Sequence, residues 1–144
     1  MNDAKSQEHP SIRVASSKIR YATRALVYLA AHGEGRNVAA REIASAEEIP
    51  EKYLEVIVGE LRAAGILESV KGKYGGFHLA RSASRIRLTE LYKALEGPPR
   101  DDRDGATAVW TDIERRVTEV IDGYTVADAL LLEERRRGVV NYTI

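Results

Sequence analysis

The residues best suited to binding chemistry lie in a short, basic, glycine-rich stretch. Residues 71–76 read Lys-Gly-Lys-Tyr-Gly-Gly and stand between two short apolar runs. The stretch lacks the G-x-x-x-x-G-K-S/T spacing of a nucleotide-binding loop, and it leads into a strand instead of a helix. It is therefore predicted to be the tip of a β-hairpin, where Lys71 and Lys73 are free to contact phosphate groups.

A helix over residues 50–64 must position this tip. Pro50 suits a first helical turn, and Gly65 suits the left-handed residue just past a helix end. Apolar residues at spacings of three and four predict one packed face, formed by Tyr53, Leu54, Ile57, Leu61 and Ala64. The opposite face, with Lys52, Glu55, Val56, Gly59 and Arg62, is free to meet a partner.

Upstream elements complete a recognisable unit. Helices are predicted over residues 18–31 and 38–46, and strands over 66–70 and 77–80. Three helices followed by a hairpin form a winged helix-turn-helix, so the fold class is mainly α with a small β-hairpin wing. Its predicted bounds are residues 16–97, preceded by a disordered tail over residues 1–15.

Several basic side chains on this unit are candidates for contacts with a phosphate backbone. Lys18 and Arg20 lie in a first helical turn, where the helix dipole favours acidic residues, so helix stability does not explain them. Phosphate contact would explain them, although solvated surface charge is an equal alternative. The full predicted set for backbone and wing contacts is Lys18, Arg20, Arg24, Arg62, Lys71, Lys73 and Tyr74.

The last third of the chain has a different organisation. A helix over residues 86–96 ends at Gly97, and residues 98–144 are predicted to form a dimerisation region made of a loop, a long helix over 106–122 and a terminal helix from Val126. The long helix needs a partner surface, either its twin in a homodimer or the first helix of the same chain. Its apolar stripe consists of Val109, Trp110, Ile113, Val117, Val120, Ile121 and Tyr124. Trp110 either lines an effector pocket or belongs to this packing stripe.

Charge is distributed unevenly although the 144-residue chain has no net charge. Residues 51–87 hold seven Lys/Arg and four Asp/Glu, a net charge of +3, whereas residues 88–144 hold eight and twelve, a net charge of −4. This asymmetry favours a polyanion-binding module joined to a module with another task, with ordinary surface variation as the alternative.

Composition also excludes some classes of protein. The chain has no cysteine, which excludes disulfides, cysteine nucleophiles and thiolate metal sites. The three histidines show no metal-ligand spacing, and no catalytic constellation is present, so an enzyme is not predicted. No apolar run is long enough to span a membrane and no secretion signal is seen, so the expected location is cytoplasmic.

The ordered series of these segments resembles the Rrf2 family of bacterial transcription regulators, which includes iron-sulfur, nitric-oxide and cysteine-metabolism regulators. The resemblance rests on residues 16–30 (SSKIRYATRALVYLA), 41–44 (REIA), 53–72 (YLE…LRAAGILESVKG), 75–80 (GGFHLA), 86–97 (IRLTELYKALEG), Trp110 and 125–130 (TVADAL). It implies a homodimer that binds double-stranded DNA at a pseudo-palindromic operator, as a repressor, through a winged helix and a long dimerisation helix.

The resemblance also suggests which residues contact bases. Glu55 matches a family glutamate that faces base edges, where a carboxylate accepts a hydrogen bond from cytosine, although a solvated helix glutamate is the alternative. Val56 offers an apolar contact for a thymine methyl group. The predicted base-contacting set is therefore Lys52, Glu55 and Val56.

Two departures from the family pattern matter. Cluster-binding members carry three cysteines between the E-G-P element and the tryptophan, whereas this chain has none, so no metal or cofactor is predicted and the signal would be a small molecule or a protein. Lys73 and Tyr74 replace the usual Pro-Gly of the wing turn, and Tyr74 either packs on a sugar at the minor groove or shields the hairpin.

The alternative function is an interaction module that has lost DNA binding, suggested by the acidic Glu51, Glu55 and Glu60.

Overall fold

The computed structural model describes residues 9–97 and 105–138. These residues form six helices and one antiparallel hairpin: α1 (Ser17–His32), α2 (Ala40–Glu47), α3 (Glu51–Ala63), β1 (Leu67–Val70), β2 (Gly76–Leu79), α4 (Leu88–Glu96), α5 (Ala108–Asp122) and α6 (Val126–Arg136). Short 3-10 turns at Ala83–Arg85 and Gly105–Thr107 precede α4 and α5. The start of the predicted tail, the predicted boundary at residues 98–104 and residues 139–144 of the predicted dimerisation region lie outside the described residues.

Helix α1 begins at a serine cap and forms the centre of the core. The Ser16 hydroxyl accepts a hydrogen bond from the Ile19 N–H at 3.2 Å, which satisfies a donor that the helix itself leaves unpaired. The core joins α1 to every other described helix except α5, and its fully buried large side chains are Leu26, Val38, Ile43, Leu54, Ile57, Val58, Leu61, Ile66, Leu67, Ile86, Leu91 and Val126.

The second helix begins later than the predicted residue 38. The backbone of Val38 instead pairs with Phe77 of the wing, with N···O distances of 2.9 and 2.8 Å, and forms an isolated bridge beside the two-stranded hairpin. Ala39 then caps α2 without a side-chain hydrogen bond. The turn into α3 places Glu48 in the left-handed region at φ 54°, a conformation that costs a non-glycine residue about 1–2 kcal/mol.

The end of α3 sets the direction of the wing. Gly65 adopts φ 77°; its N–H donates to the Arg62 carbonyl, and the N–H of Ile66 donates to the Leu61 carbonyl. This paired arrangement is a Schellman motif, which satisfies the last carbonyls of the helix and turns the chain into β1. Strands β1 and β2 then pair from Leu67 opposite Leu79 to Val70 opposite Gly76.

Close backbone packing holds the wing on the helical domain. Gly76 adopts φ 147°, and a Cβ atom there would lie 2.5 Å from the backbone carbonyl of Val38. Only glycine allows the two backbones to approach this closely. The base of the hairpin is thus fixed to the segment between α1 and α2, while its tip projects from the domain.

The C-terminal helices return to the first domain. The carboxylate of Asp122 accepts hydrogen bonds from the Thr89 hydroxyl at 2.7 Å and from Arg87 at 2.9 Å, which joins the end of α5 to the start of α4. Thr125 and Asp128 form a capping box at the start of α6. Helix α6 packs on α1, and Val126 is fully buried, so this part of the predicted dimerisation region contributes to the core of its own chain.

A polar network joins α1, α2 and the turn between them. Glu42 accepts two hydrogen bonds from Arg36, at 2.9 and 2.7 Å, and one from the Tyr28 hydroxyl at 2.6 Å. The guanidinium of Arg36 and the hydroxyl of Tyr28 lower the pKa of Glu42 from 4.5 to about 2. The ionised carboxylate is therefore the form that the fold stabilises.

This network predicts a loss of stability in acid. Because the folded pKa of Glu42 lies below its unfolded value, its contribution is complete above pH 4.5 and disappears as the pH falls towards 2. The side chain is 37% exposed, so solvent screening reduces the expected contribution to about 1 kcal/mol. Urea unfolding of Glu42→Gln should show this loss at pH 7 and a smaller one at pH 3. A Glu114→Gln control, on the exposed face of α5, should change neither value, and equal losses at both pH values would contradict the assignment.

Candidate nucleic-acid interface

The exposed face of α3 presents the three predicted base-contacting residues together. Lys52 and Glu55 are exposed, and Val56 is 54% exposed despite its apolar side chain. On the opposite face Leu54, Ile57, Val58 and Leu61 are all buried, and they fix the helix on the domain. A cation, a carboxylate and a branched alkyl group are thus held side by side at the surface of a rigid helix.

Tyr53 lies at the surface, contrary to its predicted place on the packed face. It is 36% exposed, and its ring packs edge-to-face on Tyr21 of α1, with centroids 5.5 Å apart. The guanidinium of Arg24 lies over the Tyr21 ring, 5.8 Å from its centroid. Its Nε is 3.5 Å from a carboxylate oxygen of Glu47. The spacing rule failed here because Val58, which the spacing omitted, fills the core position instead.

The wing carries its cations at an exposed tip. Lys71, Lys73 and Tyr74 are all exposed, and the Lys73 ammonium lies 5.7 Å from the centroid of the Tyr74 ring. Tyr74 is 83% exposed, so its ring does not cover the hairpin. Arg62 donates to the Ser69 hydroxyl of β1 at 3.3 Å. This hydrogen bond couples α3, the recognition helix of the winged helix-turn-helix, to the wing.

His78 links the base of the wing to the segment before α2. The two ring nitrogens of His78 lie 2.8 Å from Asn37 Oδ1 and 2.8 Å from Glu68 Oε2. The amide nitrogen of Asn37 also donates, over 3.5 Å, to the backbone carbonyl of Tyr74 at the tip. The position of the wing therefore depends on the segment that joins α1 to α2.

Two predicted phosphate ligands at the start of α1 make contacts within the chain. Lys18 forms an ion pair with Glu60 at 2.7 Å, and this carboxylate raises the pKa of Lys18. Arg20 donates from Nε to the backbone carbonyl of Ala15 at 3.3 Å and remains exposed. The ion pair joins α1 to the far end of α3 and accounts for Lys18 within the fold.

Sequence reasoning missed one cation beside the recognition helix. Arg41, on α2, is 86% exposed in its side chain and lies 3.9 Å from Glu51, at the start of α3. Arg41 lies in the first turn of α2, and its contact with Glu51 at the start of α3 is the observation that places it beside that helix. In the sequence Arg41 stands between Ala40 and Glu42, and no periodic pattern singles it out.

Helix α5 exposes its apolar stripe within the single chain. No residue of α5 is buried, and Val109, Trp110 and Val120 are each more than half exposed, with Ile113 and Tyr124 at 41% and 47%. The opposite face carries ion pairs of Arg115 with Asp112 and Glu119, both at 2.8 Å. Trp110 at 61% exposed is not a core residue of the described chain.

The profile of the Rrf2 family, described as "Iron-dependent Transcriptional regulator", matches residues 15–131. The chain belongs to the Rrf2 family. The match spans the winged helix, the hairpin, α5 and the start of α6, and it confirms the resemblance seen in the sequence.

Curated relatives and solved structures agree with this Rrf2 assignment. The HTH-type transcriptional regulator CymR of Bacillus subtilis is 34% identical over 78% of this chain and 86% of its own length. The structure of T. potens IscR covers 92% of this chain and 95% of that chain at 30% identity, with a TM-score of 0.75. The structure of CymR, the global cysteine regulator of B. subtilis, covers 84% of this chain and 98% of that chain at 30% identity, with a TM-score of 0.71. The fold is thus a winged helix, and this Rrf2 protein is a DNA-binding transcriptional regulator and not an enzyme.

The family's description names iron dependence, but the residues of this Rrf2 chain do not fit a cysteine-ligated iron-sulfur cluster. Clusters of the family's kind need cysteine thiolates, and the whole sequence has none. Within residues 9–97 and 105–138, no group of three His, Asp or Glu side chains is placed to hold a metal ion. The chain therefore does not fit a cysteine-ligated cluster. Across the same residues, no helix is both long and apolar enough to cross a membrane.

Proposed function

We propose that this protein is a cytoplasmic, homodimeric repressor that binds a pseudo-palindromic DNA operator. The exposed face of α3 carries the proposal, because it holds three kinds of base-reading group beside a basic wing. In the major groove Lys52 suits guanine acceptors, Glu55 the cytosine amino group, and Val56 the thymine methyl group. A winged helix places this helix in the groove while the wing contacts the adjacent backbone.

Basic side chains on both sides of α3 supply the phosphate contacts. Arg24 lies near the N-terminal end of α3, because it stacks on Tyr21, which contacts Tyr53. Arg62 and the wing lysines lie near the other end. Arg20 extends the set along α1. Such contacts fix the register of the protein on the duplex and carry most of the salt-dependent affinity. Lys18 supports this surface indirectly, because its ion pair with Glu60 holds α1 against α3.

Helix α5 supplies the proposed dimer interface. Trp110, Ile113, Val117 and Val120 are separated by three, four and three residues, which is the spacing of a coiled-coil seam, and Tyr124 follows just after the end of the helix. A long helix with an exposed apolar seam is unfavourable in water unless a second copy covers it. The dimer would present two α3 helices to two half-sites, which accounts for a pseudo-palindromic operator.

Repression follows from occupancy of a promoter by such a dimer. Without cysteine the protein has no thiolate to hold an iron-sulfur cluster, so a small molecule, a partner protein or its own abundance would set that occupancy. The second candidate function is a protein-interaction module, favoured by one observation. Glu51 and Glu55 are exposed on the recognition helix, where acidic side chains repel phosphate.

Substitution of Glu55 tests whether this residue contacts a base or is only a solvated surface charge. Glu55→Ala should relax discrimination at one position in each half-site, with a change of about 1–3 kcal/mol between matched and mismatched bases. The measurement is competition of the protein for a panel of duplexes that differ at single positions. Glu114→Ala removes an equivalent exposed glutamate from α5 and should leave discrimination unchanged. Equal discrimination by Glu55→Ala and the parent protein would make Glu55 a surface residue.

A further inference from the structure

A cleft of about 670 Å³ lies behind the wing, away from the recognition face of α3. Its walls are the end of α1, the turn over residues 33–37, strand β2 with the segment that follows it, and α6. This volume is within the range of sites that hold small organic molecules. None of the residues proposed to contact DNA lines the cleft.

The floor of the cleft is apolar. It is formed by Leu29 and Ala30 of α1, Leu79 of β2, Ala83 of the 3-10 turn before α4, and Leu130 of α6. Leu29 is buried in the core, and the other four are partly buried around it, so the floor is held by the packed domain. An apolar body lying on this floor would remove a continuous hydrocarbon surface from water.

Two arginines at the cleft keep hydrogen-bond donors available. Arg36 uses three N–H groups, one on the His32 carbonyl and two on Glu42, and Arg81 uses three on the Arg85 carbonyl and on Glu90. A guanidinium has five N–H donors, so among residues 9–97 and 105–138 each arginine has two N–H groups without an acceptor. Their side chains are 45% and 38% exposed.

The wing strand adds a backbone edge to the same cleft. Phe77 directs its N–H and carbonyl to Val38, and Ala80 donates to Ile66 on the opposite side. Because the hydrogen-bonding direction alternates along a strand, the backbone groups of Leu79 face the same edge as those of Phe77. The segment that contains Val38 does not pair with β2 at Leu79. Among the described residues the N–H of Leu79 therefore has no backbone partner, and it faces the cleft that Leu79 lines.

We propose that this cleft is an effector site for a small organic monocarboxylate with an apolar body. The carboxylate accepts hydrogen bonds from the remaining guanidinium N–H groups, a geometry that arginine forms well. Glu42 and Glu90 already balance the two guanidinium charges, and Glu34 also lines the cleft, so a second negative charge on the ligand is disfavoured. Recognition therefore depends on directed hydrogen bonds more than on net charge.

A ligand in this cleft would act on the DNA-binding unit through the wing. Asn37 and His78 both line the cleft, and together they brace the wing at its base and tip. Leu130 belongs to α6, which follows the proposed dimer helix. Occupancy would thus shift the wing relative to the dimer axis, a regulatory role that rests on the proposed function.

Binding can be tested without DNA by ¹H–¹⁵N NMR titration of the full chain with 4-phenylbutyrate. The expected result is saturable shifts at Gly33, Gly35, Ala80 and Ala83, with a dissociation constant on the order of millimolar for so small a probe. The neutral 4-phenylbutanamide should bind at least about tenfold more weakly, and adipate should also bind more weakly. No shifts at these residues, or equal affinity for acid and amide, would overturn the proposal.

Conservative variants keep the test independent of folding. Arg81→Lys preserves the charge beside Glu90 but removes the planar donors, and it should weaken 4-phenylbutyrate binding by at least about fivefold. Arg85→Lys, outside the cleft, is the matched control and should bind as the parent does. A separate measurement of duplex affinity with and without the probe tests regulation. Failure of DNA binding altogether would remove the proposed function but leave the NMR result to decide the site, and unchanged duplex affinity at saturation would overturn the effector role.

Discussion

Replacing Val120 with glutamate should convert the dimer to monomers and greatly weaken operator binding. Val120 is 64% exposed in the single chain, so the substitution costs the isolated fold little. In the proposed seam, however, the two copies would bring two carboxylates into an apolar interface. Unpaired charges there cost several kcal/mol, and a cost of about 3–5 kcal/mol corresponds to a weakening of dimerisation by about 10² to about 4 × 10³.

Operator affinity should fall together with dimerisation. A dimer binds its second half-site at a high effective concentration, and monomers do not have this advantage. Sedimentation velocity and duplex binding, measured on the same samples, test both effects. Thr118→Glu adds the same charge beside the seam, at a solvent-facing position of α5, and should remain dimeric. A Val120→Glu protein that sediments as the parent does would contradict the assignment of the seam.

Removing both wing lysines should weaken binding to every duplex and flatten its salt dependence. Each phosphate that a lysine neutralises contributes about 0.9 to the slope of log K against log salt concentration. The Lys71→Ala/Lys73→Ala dimer lacks two lysines in each subunit, so the slope should fall by up to about 3.6. At 0.1 M salt the affinity should decrease roughly tenfold for each phosphate that is no longer neutralised.

A charge-matched control isolates the wing from net charge. Lys93→Ala/Arg135→Ala removes two exposed cations from α4 and α6, outside the proposed interface, and should leave the slope close to that of the parent. Titration of binding across a series of salt concentrations gives both slopes. If the wing variant keeps the parent slope, the lysines do not contact phosphate. If it changes preference among sequences instead, the wing reads bases.

The elements of this fold were largely predictable from local sequence signals. Ser16 caps α1, Gly65 ends α3 in a left-handed conformation, and Thr125 with Asp128 caps α6, each as its residue type and spacing indicate. These signals act within a few residues, so one sequence is enough to reveal them. The winged-helix fold follows from their order.

Pairings between distant segments were less predictable. Val38 was predicted to lie in a helix, but its backbone pairs with Phe77, thirty-nine residues later in the sequence. Tyr53 was predicted to lie on the packed face but contacts Tyr21 at the surface, whereas Val58, which the predicted face omitted, is buried in the core. Local periodicity carries no information about either partner.

Predictions for the site divide in the same way. The exposure of Lys52, Glu55 and Val56 followed from helical periodicity alone. The pairing of Lys18 with Glu60 could not be predicted, since it depends on how α1 crosses α3. Arg41 was missed for the same reason, and its place beside Glu51 became visible only with the turn between α2 and α3.

Selection of bound duplexes from a random pool tests the central claim most directly. The proposed dimer should enrich a pseudo-palindrome whose half-sites are spaced by about one helical turn, with cytosine or thymine at the positions that face Glu55 and Val56. The Val120→Glu protein should enrich single half-sites weakly or not at all. Enrichment of no sequence by the parent protein, at salt concentrations low enough to retain duplexes, would contradict a sequence-specific regulator.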